Sequence, residues 1–107
     1  GAIEHYQKFL GHARRGLLAD AARRSLAYAY ESSQQFALAV PIYDQLVGVF
    51  DRESSAECLM AAARCSRQLQ KTADATQRLK GILDEFGDTS QAARAREMMG
   101  EIGAASR

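Results

Sequence analysis

The chain has 107 residues, of which 25% are charged and 47% are apolar, and its formal net charge is +1. This length predicts a single domain whose core is large enough to fold without disulfides or metals. The near-neutral charge disfavours binding to nucleic acid or to an anionic membrane, and no apolar run approaches the ~20 residues that cross a bilayer. One proline and few β-branched residues favour helix over sheet.

The first predicted helix lies in the opening stretch GAIEHYQKFL, over about residues 2–10. Its apolar stripe contains Ile3, Tyr6, Phe9 and Leu10. A single amphipathic helix cannot bury such a stripe by itself. We therefore expect these four side chains to mediate self-association, most simply as a symmetric homodimer. The chain starts at Gly1 without a methionine, as expected for a tag remnant or for a piece cut from a longer parent.

The next three helices are predicted over about residues 17–33, 36–50 and 56–69, from apolar positions recurring at helical spacing. Pro41 falls near the start of the third helix, where its missing N–H costs little. Ser54 or Ser55 is the predicted N-cap of the fourth helix. We expect Tyr43, on the apolar stripe of the third helix, to be a core residue.

The fifth helix is predicted over about residues 73–86, with Leu79 in the core and Gly87 placed to end it. Asp88, Thr89 or Ser90 is expected to cap a sixth helix that runs to about Ile102. Six amphipathic helices joined by short links predict antiparallel hairpins.

A small residue followed four positions later by a large one recurs along the chain. The small residues are Ala2, Ala39 and Ala75, which lie 37 and 36 residues apart. The large residues are Tyr6, Tyr43 and Leu79. Such a period indicates stacked helical repeats, in which the small side chain lets a neighbouring helix approach closely.

This pattern resembles the tetratricopeptide repeat, a helix-turn-helix unit of about 34 residues. The best match has Leu26, Ala27 and Tyr30 in one helix and Phe36, Ala39, Tyr43 and Leu46 in the next. The segment ILDEFGDTSQAARAREMM resembles the repeat junction of bacterial members such as the Tol–Pal coordinator family.

The resemblance implies an all-α fold, a right-handed superhelix of antiparallel helix pairs with about six helices. It divides the single domain into a half-repeat over residues 1–16, repeats over 17–51 and 52–87, and a terminal capping helix over 88–103. The chain would then begin at the second helix of a repeat. The first helix of that repeat would be missing, precede it in the parent, or come from another chain.

The resemblance also implies a non-catalytic protein–protein interaction module, because the first helices of successive units in that family line a concave groove for a peptide or partner helix. The register assigns six partner-binding residues to this groove: Arg24, Tyr28, Glu31, Met60, Arg64 and Arg67. Together they would form a cationic strip suited to an acidic partner. The same residues can equally be ordinary surface side chains. The chain contains no asparagine, so the Lys, Arg and Asn clamp of some family members is absent or rebuilt.

Two alternatives remain at the sequence level. The first is a self-association module of a larger parent protein. The second is an anion or nucleic-acid binder that uses the arginines of HARRGLLADAARR, which are Arg14, Arg15, Arg23 and Arg24. Against the second, the background charge is near neutral, and no aromatic platform accompanies the cluster.

No constellation predicts catalysis, a metal or a cofactor. Cys58 and Cys65 are seven residues apart, so on one helix their Cα atoms would lie ~10.5 Å apart, beyond disulfide reach. They are therefore expected to be buried free thiols, which favours a reducing, cytoplasmic compartment, whereas the resemblance leaves the periplasm open. His5 and His12 have the same unfavourable spacing for chelation, and no phosphate loop or nucleophile motif is present.

Overall fold

Six α-helices follow one another along the chain, as predicted, and the described residues contain no strand. The structure, a computed structural model, describes residues 1–13 and 15–105; Arg14 of the predicted basic cluster lies outside them. The helices are α1 Ala2–His12, α2 Leu17–Ser32, α3 Phe36–Gln45, α4 Arg52–Gln68, α5 Thr72–Glu85 and α6 Gln91–Ala105. The all-α prediction is confirmed. None of these helices is both long enough and apolar enough to cross a bilayer.

The third helix ends earlier than the apolar stripe suggests. It stops at Gln45 rather than near Phe50, and Gly48 then adopts a left-handed φ of 88°. An L side chain disfavours that conformation, so glycine suits this turn. The backbone N–H of Gly48 donates a 2.9 Å hydrogen bond to the buried hydroxyl of Ser55, which ties the turn to α4.

The N-cap prediction for the fourth helix is wrong. Asp51 is the N-cap, and its carboxylate accepts a 2.7 Å hydrogen bond from the backbone N–H of Ser54. The helix therefore starts at Arg52, about one turn before the predicted start. An aspartate there satisfies a free N–H group and places negative charge at the positive end of the helix dipole.

The end of α5 uses glycine for space rather than for a left-handed turn. Gly87 follows the C-cap Phe86, as expected, but its φ is not in the left-handed region. A β-carbon at Gly87 would lie 2.9 Å from the backbone oxygen of Leu83. Any larger residue would therefore force the chain away from the last turn of α5.

The helices form an elongated two-layer array centred on α4. Consecutive helices pack against each other, and α4 also contacts α6. The Cα atoms extend over 47 × 28 × 16 Å. The shortest dimension matches two layers of helices whose axes are about 8–10 Å apart.

Two hydrophobic clusters share α4. The first joins α2, α3 and α4 around Tyr30, Tyr43 and Leu46, and side chains of α1 pack against it. The second joins α4, α5 and α6 around Leu79 and Ile82. Tyr43 and Leu79 are both buried, so the prediction that they are core residues is confirmed.

Replacing Leu79 with alanine should lower the free energy of unfolding by roughly 2–5 kcal/mol, because its side chain is fully enclosed in the second cluster. Chemical denaturation of the two proteins measures the difference. The control is Leu38→Ala on α3, where the side chain is 50% exposed and the cost should be much smaller. Equal costs at the two positions would contradict the assigned packing.

Candidate functional site

A groove of about 950 Å³ lies between α2 and α4, with the starts of α1 and α6 at its borders. Its lining on these two helices includes Ser25, Tyr28 and Ala29 of α2 and Met60 and Ala61 of α4. Short side chains such as serine and alanine on facing helices leave this space open. An open groove of this volume with mixed apolar and polar walls is typical of ligand-binding surfaces.

Four of the six predicted partner-binding residues line the groove: Arg24, Tyr28, Met60 and Arg64. Tyr28 is 65% exposed, whereas Met60 is only 3% exposed, so a ligand would meet mainly the tyrosine. Glu31 and Arg67 do not belong to the lining.

The predicted arginines are bound to carboxylates of this same chain. A nitrogen of Arg24 lies 2.5 Å from an oxygen of Glu57, and its guanidinium carbon lies 5.7 Å from the ring centroid of Phe50. Arg67 lies 2.7 Å from Glu101. The strip is therefore neutralised internally, and it does not present a row of free positive charges.

Arg64 forms the most elaborate of these ion pairs. Its Nε and Nη2 atoms donate hydrogen bonds of 2.5 and 2.9 Å to the two carboxylate oxygens of Glu31. The buried Tyr43 donates its hydroxyl to the same carboxylate over 2.9 Å. One carboxylate thus joins α2, α3 and α4 beside the groove.

This arrangement shifts the pKa values of the groups involved. Burial opposes ionisation of Glu31, but hydrogen bonds from Arg64 and Tyr43 and the charge of Arg64 outweigh it and lower the pKa of the carboxyl. Burial, followed by the bond to Glu31, raises the pKa of Tyr43. Burial and the nearby Glu31 charge raise the pKa of Cys65 to about 12. Tyr43 and Cys65 therefore stay protonated near neutral pH.

The two cysteines are buried free thiols, as predicted. Burial raises the pKa of Cys58 as well, so neither thiol is an activated nucleophile. Within residues 1–13 and 15–105, no three histidine, cysteine or carboxylate side chains come together as metal ligands.

The contribution of α6 to the groove was not predicted from the sequence. Gln91 and Arg94, at the start of this helix, both belong to the lining. They are three residues apart, and so they lie on one face of the helix. Helical spacing alone could group these two residues, but only the packing of α6 against α4 places them beside α2.

The predicted self-association stripe is largely used within the chain. Ile3, Tyr6 and Leu10 pack against the first hydrophobic cluster, although no residue of α1 is fully buried. Phe9 is 36% exposed and borders a separate depression of about 370 Å³ beside His5 and His12. The uncovered apolar surface of α1 is therefore smaller than the stripe suggests.

Comparison with known proteins adds no assignment to these observations. No protein-family model matches the chain, and no curated protein or solved structure matches it. A functional conclusion therefore has to come from the groove and its residues.

The Glu31 contacts predict a pH-dependent contribution to stability. Because the pKa of folded Glu31 lies below its ordinary value of 4.5, this stabilisation is complete above that value and disappears as the pH falls through the folded pKa. Glu31→Gln should therefore lower the free energy of unfolding by roughly 1–3 kcal/mol at pH 7. The deficit should shrink below pH 4.5. Denaturation across this pH range measures the effect.

Asp84→Asn on the exposed surface of α5 is the control, and its small effect should not follow the same course. A Glu31→Gln deficit that is unchanged down to pH 3 would contradict the assigned role of the carboxylate.

Proposed function

We propose that this chain is a non-catalytic helical-repeat module, of the tetratricopeptide type, that binds a polypeptide segment in the groove between α2 and α4. The observation that carries the proposal is the groove itself, with Tyr28 exposed on its wall and Met60 and Ala61 beneath. Tyrosine contributes large contact area at low entropic cost and is frequent at energetically important interface positions.

A recurring structural register supports the repeat assignment. Residues 36 positions apart are both buried in two cases, Ala39 with Ala75 and Leu46 with Ile82. The two turns that join α2 to α3 and α4 to α5 are also alike. Each contains a glutamine with positive φ, 63° at Gln34 and 61° at Gln70.

Contacts between alternate helices further support stacked repeats. Arg78 of α5 binds Asp44 of α3 through two hydrogen bonds of 2.6 and 3.0 Å. The pairs that join α2 to α4 and α4 to α6 span similar sequence distances. In a repeat array each unit contacts its neighbours in this way, and the resulting curvature produces extended binding surfaces.

The chemistry of the groove favours binding over catalysis. Burial raises the pKa values of Tyr43 and Cys58, which both line the groove, so these groups stay protonated near neutral pH. Two of the four arginines of the basic cluster are already paired within the chain, since Arg23 binds Asp20 at 2.9 Å and Arg24 binds Glu57. Self-association through α1 remains an alternative, with less apolar surface available than its sequence implies.

Tyr28→Ala should weaken segment binding about tenfold, because it removes the most exposed large side chain of the groove. The probe is a set of peptides enriched from a random display library on the wild-type protein. Calorimetric titration gives the affinities. Tyr28 is mostly exposed, so the melting temperature should change little.

Leu38→Ala removes another exposed apolar side chain, away from the groove, and should leave the affinity unchanged. Sedimentation of the unliganded protein tests self-association in the same preparation. The proposal fails if no peptide is enriched, or if the two substitutions weaken binding equally.

A further inference from the structure

We infer that the groove selects a segment carrying an acidic side chain, which Arg94 and Gln91 hold at the α6 border of the groove. This inference rests on the proposed function and specifies its ligand. It assigns recognition to two residues outside the predicted cationic strip.

Arg94 is the available cation of the groove. The other two arginines of the lining, Arg24 and Arg64, are bound to Glu57 and Glu31. Arg94 is exposed, and its guanidinium forms no ion pair or hydrogen bond with any residue in the described part of the chain. The remaining carboxylate of the lining, Glu4 on α1, lies 2.9 Å from the amino group of Gly1. A partner's carboxylate therefore meets an unneutralised guanidinium only at Arg94.

Gln91 is the second, independent feature of this border. The residue is only 8% exposed, yet its side-chain amide forms no hydrogen bond with any described residue. No fully buried side-chain nitrogen or oxygen in that part of the chain lacks a partner, so the amide retains access to solvent. Since Gln91 lines the groove, a bound segment can reach this amide. A carbonyl or N–H group of a bound segment can therefore replace water as the hydrogen-bond partner of the Gln91 amide.

The two side chains offer complementary chemistry on one face of α6. The guanidinium of Arg94 provides parallel N–H donors that match the two oxygens of a carboxylate. The amide of Gln91 both donates and accepts, which matches the C=O and N–H of a peptide backbone. A terminal carboxylate only accepts and would leave the Gln91 oxygen unpaired. The pair therefore fits an aspartate or glutamate within a continuing chain.

The internal carboxylates limit how much negative charge the groove accepts. Glu57 already neutralises Arg24, and both residues line the groove. A segment with several acidic residues would therefore place additional carboxylates near Glu57, where no unpaired cation of the lining compensates their charge. Like charges that approach without compensation lower affinity. We therefore expect one acidic residue with apolar neighbours, which can contact Tyr28 and the apolar side chains beneath it.

The test uses peptides enriched on the wild-type protein, synthesised with amidated C termini. Replacing the acidic residue of a peptide with its amide analogue should weaken binding about fivefold, and Arg94→Gln should weaken binding of the acidic peptide equally. Arg96→Gln is the matched control, because Arg96 is exposed on the same helix but does not line the groove. It should leave the affinity unchanged.

A charge exchange distinguishes recognition from a structural effect. Arg94→Glu should lose the acidic peptide and bind the peptide whose acidic residue is changed to lysine. Gln91→Met, which removes the amide at similar side-chain length, should weaken both peptides, with thermal denaturation verifying that the variant is folded.

The outcomes separate the two proposals. Three results would overturn this inference and leave the proposed function standing, provided that binding still depends on Tyr28. The first is equal affinity for the acidic peptide and its amide analogue. The second is an equal loss with Arg94→Gln and Arg96→Gln, and the third is a requirement for a free C terminus. Failure to enrich any peptide, or peptides insensitive to Tyr28→Ala, would overturn both.

Discussion

The close packing of α4 between its neighbours is the constraint on which the rest of the structure depends. Ala61, Ala62 and Ala63 occupy consecutive positions and face different neighbours, and all three are buried. Small side chains all around one helix let helices on several sides approach closely, since a larger residue would overpack at least one interface. Both hydrophobic clusters include residues of α4, so this one helix contributes to both halves of the core.

Ion pairs between alternate helices set the electrostatic character of the groove. The Arg64–Glu31 and Arg24–Glu57 pairs connect α4 to α2, and both arginines contribute to the lining. Because each pair is partly exposed, its contribution to stability is modest, but it neutralises an arginine that lines the groove. Two arginines of the lining are therefore neutralised, whereas the guanidinium of Arg94 has no ion-pair partner among residues 1–13 and 15–105. Under the proposed function, selectivity for a ligand's charge is concentrated at the α6 border of the groove.

Helical periodicity predicted most of the fold. The errors concern the end of α3 and the N-cap of α4, where neighbouring residues offered more than one place for a helix to end or begin. The stripes containing Tyr43 and Leu79 correctly placed both residues in the core, because burial follows the 3.6-residue period. The apolar stripe of α3 continued past its end, where Gly48 turns the chain. Asp51 capped α4 although the nearby serines are also good caps, since capping depends on where the chain leaves the turn. The residue pattern permits an N-cap at the aspartate or at either serine, and it does not show which of them the chain uses.

The sequence by itself determined that the chain forms six amphipathic helices with small residues at recurring positions, because these features depend on local propensity and short-range spacing. It also indicated the face of α2 on which Arg24 and Tyr28 lie. Only the tertiary structure decided which arginines pair with carboxylates. Ion pairs such as Arg64 with Glu31 join residues more than thirty positions apart, and the place of Arg94 in the groove depends on how α6 docks against α4. Charge pairing depends on distances of a few ångströms between helices, and no local pattern specifies those distances.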